Sequence, residues 1–475
     1  MKRSLKQSVG WTEVPIEQLF APLEDGRTLH QGWSPQCDKM PSPSEDVWGV
    51  LKTTAIQAGE FQPEYNKLLP TGLEPRPLIE VKEGDILITC AGPRVRCGVS
   101  CLVRQTRKRL MMSGKMYRFR VDPSRTDARY VETFLQTERA RLAIDKMKTG
   151  SSDSGLNLTH DRFRQLPIPV APLPEQRRIV AEVEKQFTRL DAGVAALRRT
   201  QANLKRYRAA VLKAACEGRL VLTEAELARK ERRDSENGND ALVRVLKKRR
   251  ALWTARGTYK EPPTAETTEL EEIPVGWTWS SLAQLATHIT DGTHKTPTYI
   301  ESGVPFLSAK DITGFKITFD ECRYIPRSEH EELSKRCATR SGNVLITKSG
   351  TIGRVAVVRT DKEFSLFESV ANVPVIEPIN PEFVAYAAFV GIAGVFGVSN
   401  QKGVAVRHLH LEDLRRVPIP LPPVAEQRRI VAEVERRLSV VEELEAVVAA
   451  NLLRANRLRQ TVLQRAFTGK QKPAS

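Results

Sequence analysis

The chain has 475 residues, 40% of them hydrophobic, and a formal net charge of +17, a content that fits two or three packed domains. It has no run of about eighteen apolar residues, and the opening MKRSLKQSVGW lacks an apolar core, so neither a membrane span nor a secretion signal is expected. Seven cysteines, an odd number, predict reduced thiols and a cytoplasmic chain rather than a disulfide framework. The excess of Lys and Arg attracts polyanions by releasing counterions from phosphates, although an anionic membrane or a merely basic protein shares that charge.

In chain order, residues 10–166 form a first block that reads as mixed α/β, with strands at Ile86-Leu87-Ile88 and from Val99 to Val103 and a helix from Ala128 to Met147. Residues 94–120 hold Arg94, Arg96, Arg104, Arg107, Lys108, Arg109, Lys115, Arg118 and Arg120, with Tyr117 and Phe119 interleaved and no acidic residue. That stretch suits a DNA-facing surface, or equally a solvated basic face.

A segment follows that occurs twice. Residues 167–184 read PIPVAPLPEQRRIVAEVE and residues 418–435 read PIPLPPVAEQRRIVAEVE. Proline before each start and Glu175 or Glu426 in the first turn predict a helix near 175–217 and another near 426–468, closed by Gly218 and Gly469. Each is about 60 Å long at 1.5 Å per residue. Val180, Phe187 and Val194 fit heptad position a, and Val183, Leu190, Leu197, Leu204 and Val211 fit position d. The second copy has Val431, Leu438 and Leu452 at a, and Val434, Val441, Val448 and Val462 at d. Gln201, Arg208, Glu445 and Arg459 interrupt the seam, where polar residues can set register. Antiparallel pairing of the two helices is expected, with ordinary packing inside each domain as the alternative.

Residues 219–275 read as a basic connector with a charged helix from Ala241 to Arg256, whose apolar side carries Leu242, Val245, Leu246 and Leu252. Either solvation or phosphate contact accounts for its charge. The second block, 276–416, holds three Gly-containing polar loops beside apolar strands: Thr290 to Pro297, Ile346 to Arg354, and Ser399 to Gly403. Such loops can read base edges or hold phosphates, and they can also be ordinary turns.

Weaker repeats bind the halves together. Val9-Gly10-Trp11-Thr12 matches Val275-Gly276-Trp277-Thr278, and Gly84 to Thr89 resembles Gly342 to Thr347. The expected organisation is a recognition domain at 1–166, a helical spacer at 167–218, the connector at 219–275, a second recognition domain at 276–416 and a second spacer at 417–475. The fold class is α/β, as mixed α+β domains with two long shared helices in an antiparallel coiled coil and an internal pseudo-two-fold repeat. No phosphate-binding glycine loop, H-E-x-x-H or amino-methyltransferase motif occurs, and Cys90, Cys97 and Cys101 do not have zinc-site spacing. Catalysis by this chain alone is therefore not expected.

Together these features resemble the specificity (S) subunit of type I restriction-modification enzymes. The resemblance rests on the doubled PIP…EQRRIVAEVE, the GRL at 218–220, ELEEIPVGWTW at 269–279, TDGTHKTP at 290–297, GVPFLSAKDI at 303–312 and GNVLITKSGTIG at 342–353. It implies two domains reading the halves of a bipartite duplex DNA site. It also implies docking of two methyltransferase (modification) subunits on the helices, joined by restriction (translocase/endonuclease) subunits. S-adenosylmethionine, ATP and Mg would belong to those partners, with no cofactor and no metal on this chain. DNA-binding candidates are then Arg94, Arg96, Arg104, Arg107, Lys108, Arg109, Lys115 and Arg118 in the first block. In the second they are Thr293, His294, Lys295, Lys348, Ser349, Thr351, Arg354, Asn400, Gln401 and Lys402. Spacer and docking candidates are Gln176, Val183, Leu190, Leu197, Leu204, Gln427, Val434, Val441 and Val448. No first-block equivalent of TDGTHKTP is evident. A coiled-coil scaffold without sequence-specific DNA binding is the competing reading, and a self-contained methyltransferase or nuclease is a second.

Overall fold

The computed structural model describes residues 10–254, 258–266, 270–396 and 409–468. The chain folds as two compact units, one formed by Met1–Arg199 with Val448–Ser475, the other by Thr200–Val447. Neither long helix is a separate module. Each is shared, so that a unit holds the start of its own helix and the end of the other.

In the first unit, antiparallel strands run in the order Ser100–Leu102, Ile86–Thr89, Met116–Val121, with both Phe20–Ala21 and His30–Gln31 paired to the last. Strand Ile86–Thr89 is buried along its whole length, which is why it reads as an unbroken apolar run instead of an alternation. A smaller sheet sets Leu110–Met111 parallel to Gly49–Leu51 and the latter antiparallel to Asn66–Leu68. Ile86, Ile88, Phe119, Phe134 and Phe163 fill the core between sheet and helices. The helix expected from Ala128 to Met147 is two, Ala128–Leu135 and Glu138–Met147. Thr137 separates them because its side chain caps the second, accepting from the Ala140 N–H at 3.1 Å.

The second unit repeats this plan. Its sheet runs Thr290–Asp291, Val370–Pro374, Asn343–Thr347, Val355–Val357. Its small sheet again holds one parallel pair, Val304–Leu307 with Ser365–Leu366. The registers coincide: Gln31 pairs with Tyr117 and Tyr117 with Ile88, as Asp291 pairs with Ala371 and Ala371 with Ile346. Each unit is closed by the same strand pair, Thr12–Pro15 against Pro167–Val170 and Thr278–Ser281 against Pro418–Leu421. Two blocks that differ strongly in sequence therefore share one fold.

The long helices span Leu173–Cys216 and Val424–Ala466, 44 and 43 residues. In the first unit Val180 and Val183 share a core with Leu463, Ala466 and Phe467, while Asp191 pairs with Arg459 at 2.5 Å, so the segments run antiparallel. In the second unit Val211, Leu212 and Ala215 share a core with Val431, Val434 and Leu438, and Arg208 meets Glu445 at 3.1 Å, again antiparallel. Fully burying each of these valines and leucines contributes roughly 1.5–3 kcal/mol. Beyond the first helix Gly218 takes φ +67°, and the Arg219 N–H returns to the Ala214 carbonyl at 2.9 Å, a left-handed stop that a Cβ would strain. Gly469 lies outside the described residues.

The connector helix spans Gly238–Ala251, started by a capping box between Asn237 and Asp240. Leu242 and Val245 are buried, but Leu252 falls past the helix end and is exposed, contrary to its expected place on the apolar side.

Candidate nucleic-acid interface

In both units the shared segments tie the long helix to the block that precedes it. The Trp11 indole donates to Glu175 at 3.2 Å, and the Trp277 indole to Glu426 at 3.0 Å. Gln176 accepts from the Asp127 N–H at 2.9 Å, and Gln427 from the Asn380 N–H at 2.9 Å. Asp127 and Asn380 each stand directly before a domain helix, and their side chains accept from the Arg129 and Phe383 N–H groups. Both glutamines are fully buried, so as docking candidates they need correcting: their amides are used up inside their own units. Val183, Leu204, Val434, Val441 and Val448 are also buried, and Leu190 and Leu197 are half-buried. Any partner surface on these helices lies on their other faces.

Two loops of the second block come together. Asp291, at the head of TDGTHKTP, meets Lys348 of KSGTIGR at 2.9 Å, and Lys348 also meets Glu368 at 3.2 Å. Ser349 lies 3.4 Å from Glu368. Thr293 Oγ1 turns back to the Lys295 carbonyl at 3.3 Å, leaving His294 and Lys295 exposed at the tip. Gly292 is required by space, since a Cβ there would lie 1.9 Å from the Leu366 carbonyl oxygen. Thr351 is exposed, whereas Arg354 donates to the Ile312 carbonyl at 3.1 Å and braces the loop from behind. Asn400, Gln401 and Lys402 lie outside the described residues.

The counterpart of TDGTHKTP in the first block is His30-Gln31-Gly32-Trp33, placed by strand register. Gly32 has the same close approach, a Cβ falling 2.3 Å from the Ser113 carbonyl oxygen. No residue type except that glycine is shared with TDGT, so sequence comparison passes over it. The loop after Ile86–Thr89 matches KSGTIGR in the same way. There Arg96 donates to the Thr53 carbonyl and, at 2.7 Å, to the Ile56 carbonyl.

The nine basic residues of 94–120 do not form one DNA face. Arg118 is fully buried, bound to Glu24 at 2.9 Å and Asp85 at 3.3 Å, and is a core ion pair rather than a phosphate contact. Arg96 and Arg107 are half-buried, the latter donating to the Ser44 carbonyl at 2.9 Å. Arg94 pairs with Asp153 at 2.8 Å and Arg104 with Glu184 at 3.1 Å, both at the surface. Arg109 is exposed, with its guanidinium on the Asp46 carbonyl, and Lys108 and Lys115 are exposed as well. Cys90, Cys97 and Cys101 are buried, and burial raises their thiols above the ordinary range, Cys90 to about 12.

Two groups escaped the sequence reading. Arg336, beyond the helix Arg327–Ser334, meets Asp291 at 2.5 Å, and no local pattern announces a contact across 45 residues. The Trp–Glu ties carried a usable signal, because tryptophan and glutamate recur together in both halves.

The family described as type I restriction modification DNA specificity domain matches residues 274–445. The specificity subunit of the type I restriction enzyme EcoEI of Escherichia coli is 39% identical over 179 residues, 38% of this chain and 29% of that protein. The specificity subunit of EcoBI, also from Escherichia coli, is 27% identical over 426 residues, 88% of this chain and 79% of that protein. The similarity thus spans under a third of the first relative's length and most of the second's. A chain solved in work on complex assembly and conformational transition of the type I R-M system superposes with a TM-score of 0.65 at 20% identity, covering 98% of this chain and 100% of that one. At that identity the superposition speaks for the fold. With two register-matched blocks, doubled Trp–Glu ties and these relatives, the chain is similar to type I restriction-modification specificity subunits, and its residues 274–445 match that family's DNA specificity domain.

Proposed function

We propose that the chain is the DNA-reading subunit of a type I restriction-modification complex, each unit recognising one half of a bipartite site. The observation that carries this is the duplicated recognition fold, whose loop pairs recur in register while their side chains differ. Equal scaffolds with unequal loops suit two different half-sites on one duplex. Exposed basic groups such as Lys108, Lys115 and Lys295 hold phosphates, and polar loop tips read major-groove edges.

The chain itself is not the catalyst. Two modification subunits dock on the outward faces of the long helices and methylate one adenine on each strand, and restriction subunits complete the enzyme. S-adenosylmethionine, ATP and Mg serve those partners. Among the described residues no group of His, Cys, Asp or Glu could hold a metal ion, and no helix is long and apolar enough to cross a membrane.

Binding of the purified complex to cognate duplex tests this reading. Affinity should fall steeply as salt rises from about 50 to 200 mM, with a preference for cognate over scrambled DNA of about 1,000-fold or more. A complex that assembles but binds no duplex would return the chain to a coiled scaffold.

A further inference from the structure

Asp291 joins three segments. Its side chain is 3% exposed and meets Lys348 of the second loop at 2.9 Å, Arg336 beyond the helix Arg327–Ser334 at 2.5 Å, and His294 of its own loop at 3.1 Å. Burial alone would raise the Asp291 carboxyl, but the Lys348 hydrogen bond and the charges of Lys348, His294 and Arg336 outweigh it and hold it below the usual carboxylate range. The partners are unequal. Lys348 is 11% exposed and enclosed by Glu368, whereas the Arg336 and His294 side chains are 55% and 59% exposed. Arg336 uses one nitrogen on Asp291 and directs another at the Gly292 carbonyl, 3.4 Å away, which leaves further donors of its planar fork facing solvent.

The first unit provides an internal comparison. Gln31 occupies the register of Asp291, and Cys90 follows Thr89 as Lys348 follows Thr347. The Gln31 amide lies 4.0 Å from the Cys90 sulfur, so the same two positions meet there as a neutral pair. The contact between loops belongs to the fold, and its charge belongs to the second unit.

We infer that Asp291 is a positioning residue for DNA recognition by the second unit, holding Arg336 and His294 so that the outward donors of Arg336 and the free ring nitrogen of His294 meet polar groups on DNA. The inference rests on the chain's being a DNA-reading subunit. A planar guanidinium fixed at one end by a buried carboxylate is pre-organised for two-point donation to a purine edge or a phosphate.

The test uses the full complex with its modification subunits, assayed for binding and methylation on duplexes carrying every single-base change in both half-sites. Asp291→Asn should cut discrimination about ten-fold or more at one or more positions of one half-site, with the other half-site read as before. Arg336→Ala should relax the same positions, and adding Asp291→Asn to an Arg336→Ala, His294→Ala variant should cost nothing further. If the acceptors are phosphates, both variants will instead weaken binding to all duplexes alike and lower the salt slope by about one. Wild-type selectivity, affinity and salt slope in a folded Asp291→Asn protein would overturn the inference, as would a uniform loss with an unchanged slope. Should Asp291→Asn fail to fold, the exposed Arg336→Ala and His294→Ala substitutions decide by the same readouts. Failure of the wild-type complex to show any two-part site would instead refute the DNA-reading function itself.

Discussion

Glu132 is buried to 2% side-chain exposure in the helix Ala128–Leu135, and burial pushes its carboxyl up to about 7 despite Arg104 at 3.9 Å. The folded state therefore holds a proton there that the unfolded chain releases near pH 4.5. The protonated group contributes fully below that pH. Its contribution falls as pH rises toward 7 and stays low above, a span on the order of 3 kcal/mol. Gln136 donates to Glu132 at 2.8 Å, a bond that a glutamine oxygen can still accept. Glu132→Gln should therefore melt higher than wild type at pH 8, with the difference shrinking toward pH 4.5. Parallel melting curves across that range would contradict the assignment. Nothing in the sequence around Glu132 announces this burial, since a glutamate in a helical window reads as a surface residue. The same blindness made Arg118 look like a DNA contact, because sequence counts charges and cannot see Asp85 and Glu24 converging on them.

The long helices were the most legible elements, because their signal is local. Proline, acidic first turns and apolar residues at heptad spacing all act within a few residues, and the boundaries came within about two residues of those observed. The polar interruptions are also used: Arg208 and Glu445 pair within the second unit, and Arg459 reaches Asp191 in the first. Strand pairing was less legible. Short strands such as His30–Gln31 are defined by partners far away in the chain, so the first-block loop emerged only from register. The seam suggests that the helices act as a ruler. Inserting one heptad in each, after Arg199 and after Leu452, should keep the heptad pattern of both helices and lengthen each by about 10 Å. The non-specific gap between half-sites should then grow by about three base pairs at 3.4 Å each. An unchanged gap in such a folded variant would contradict the ruler.

At the scale of the whole molecule, the repeat was legible in the shared helices and almost invisible in the recognition blocks, where a common backbone carries different side chains. Such divergence is expected if the blocks answer to different base sequences: the buried positions of a sheet tolerate apolar exchange, while the loop tips are free to change. It also explains why the second unit holds an Asp291–Lys348 pair where the first holds Gln31 and Cys90. The two readers proposed on this one chain make a plain demand on the DNA. Mapping methylated adenines in DNA modified by the complete complex tests it most directly. The expected result is one motif of two unlike half-sites separated by a gap of fixed length and indifferent sequence, with one modified adenine on each strand. A single uninterrupted motif, or half-sites methylated at any separation, would contradict the account.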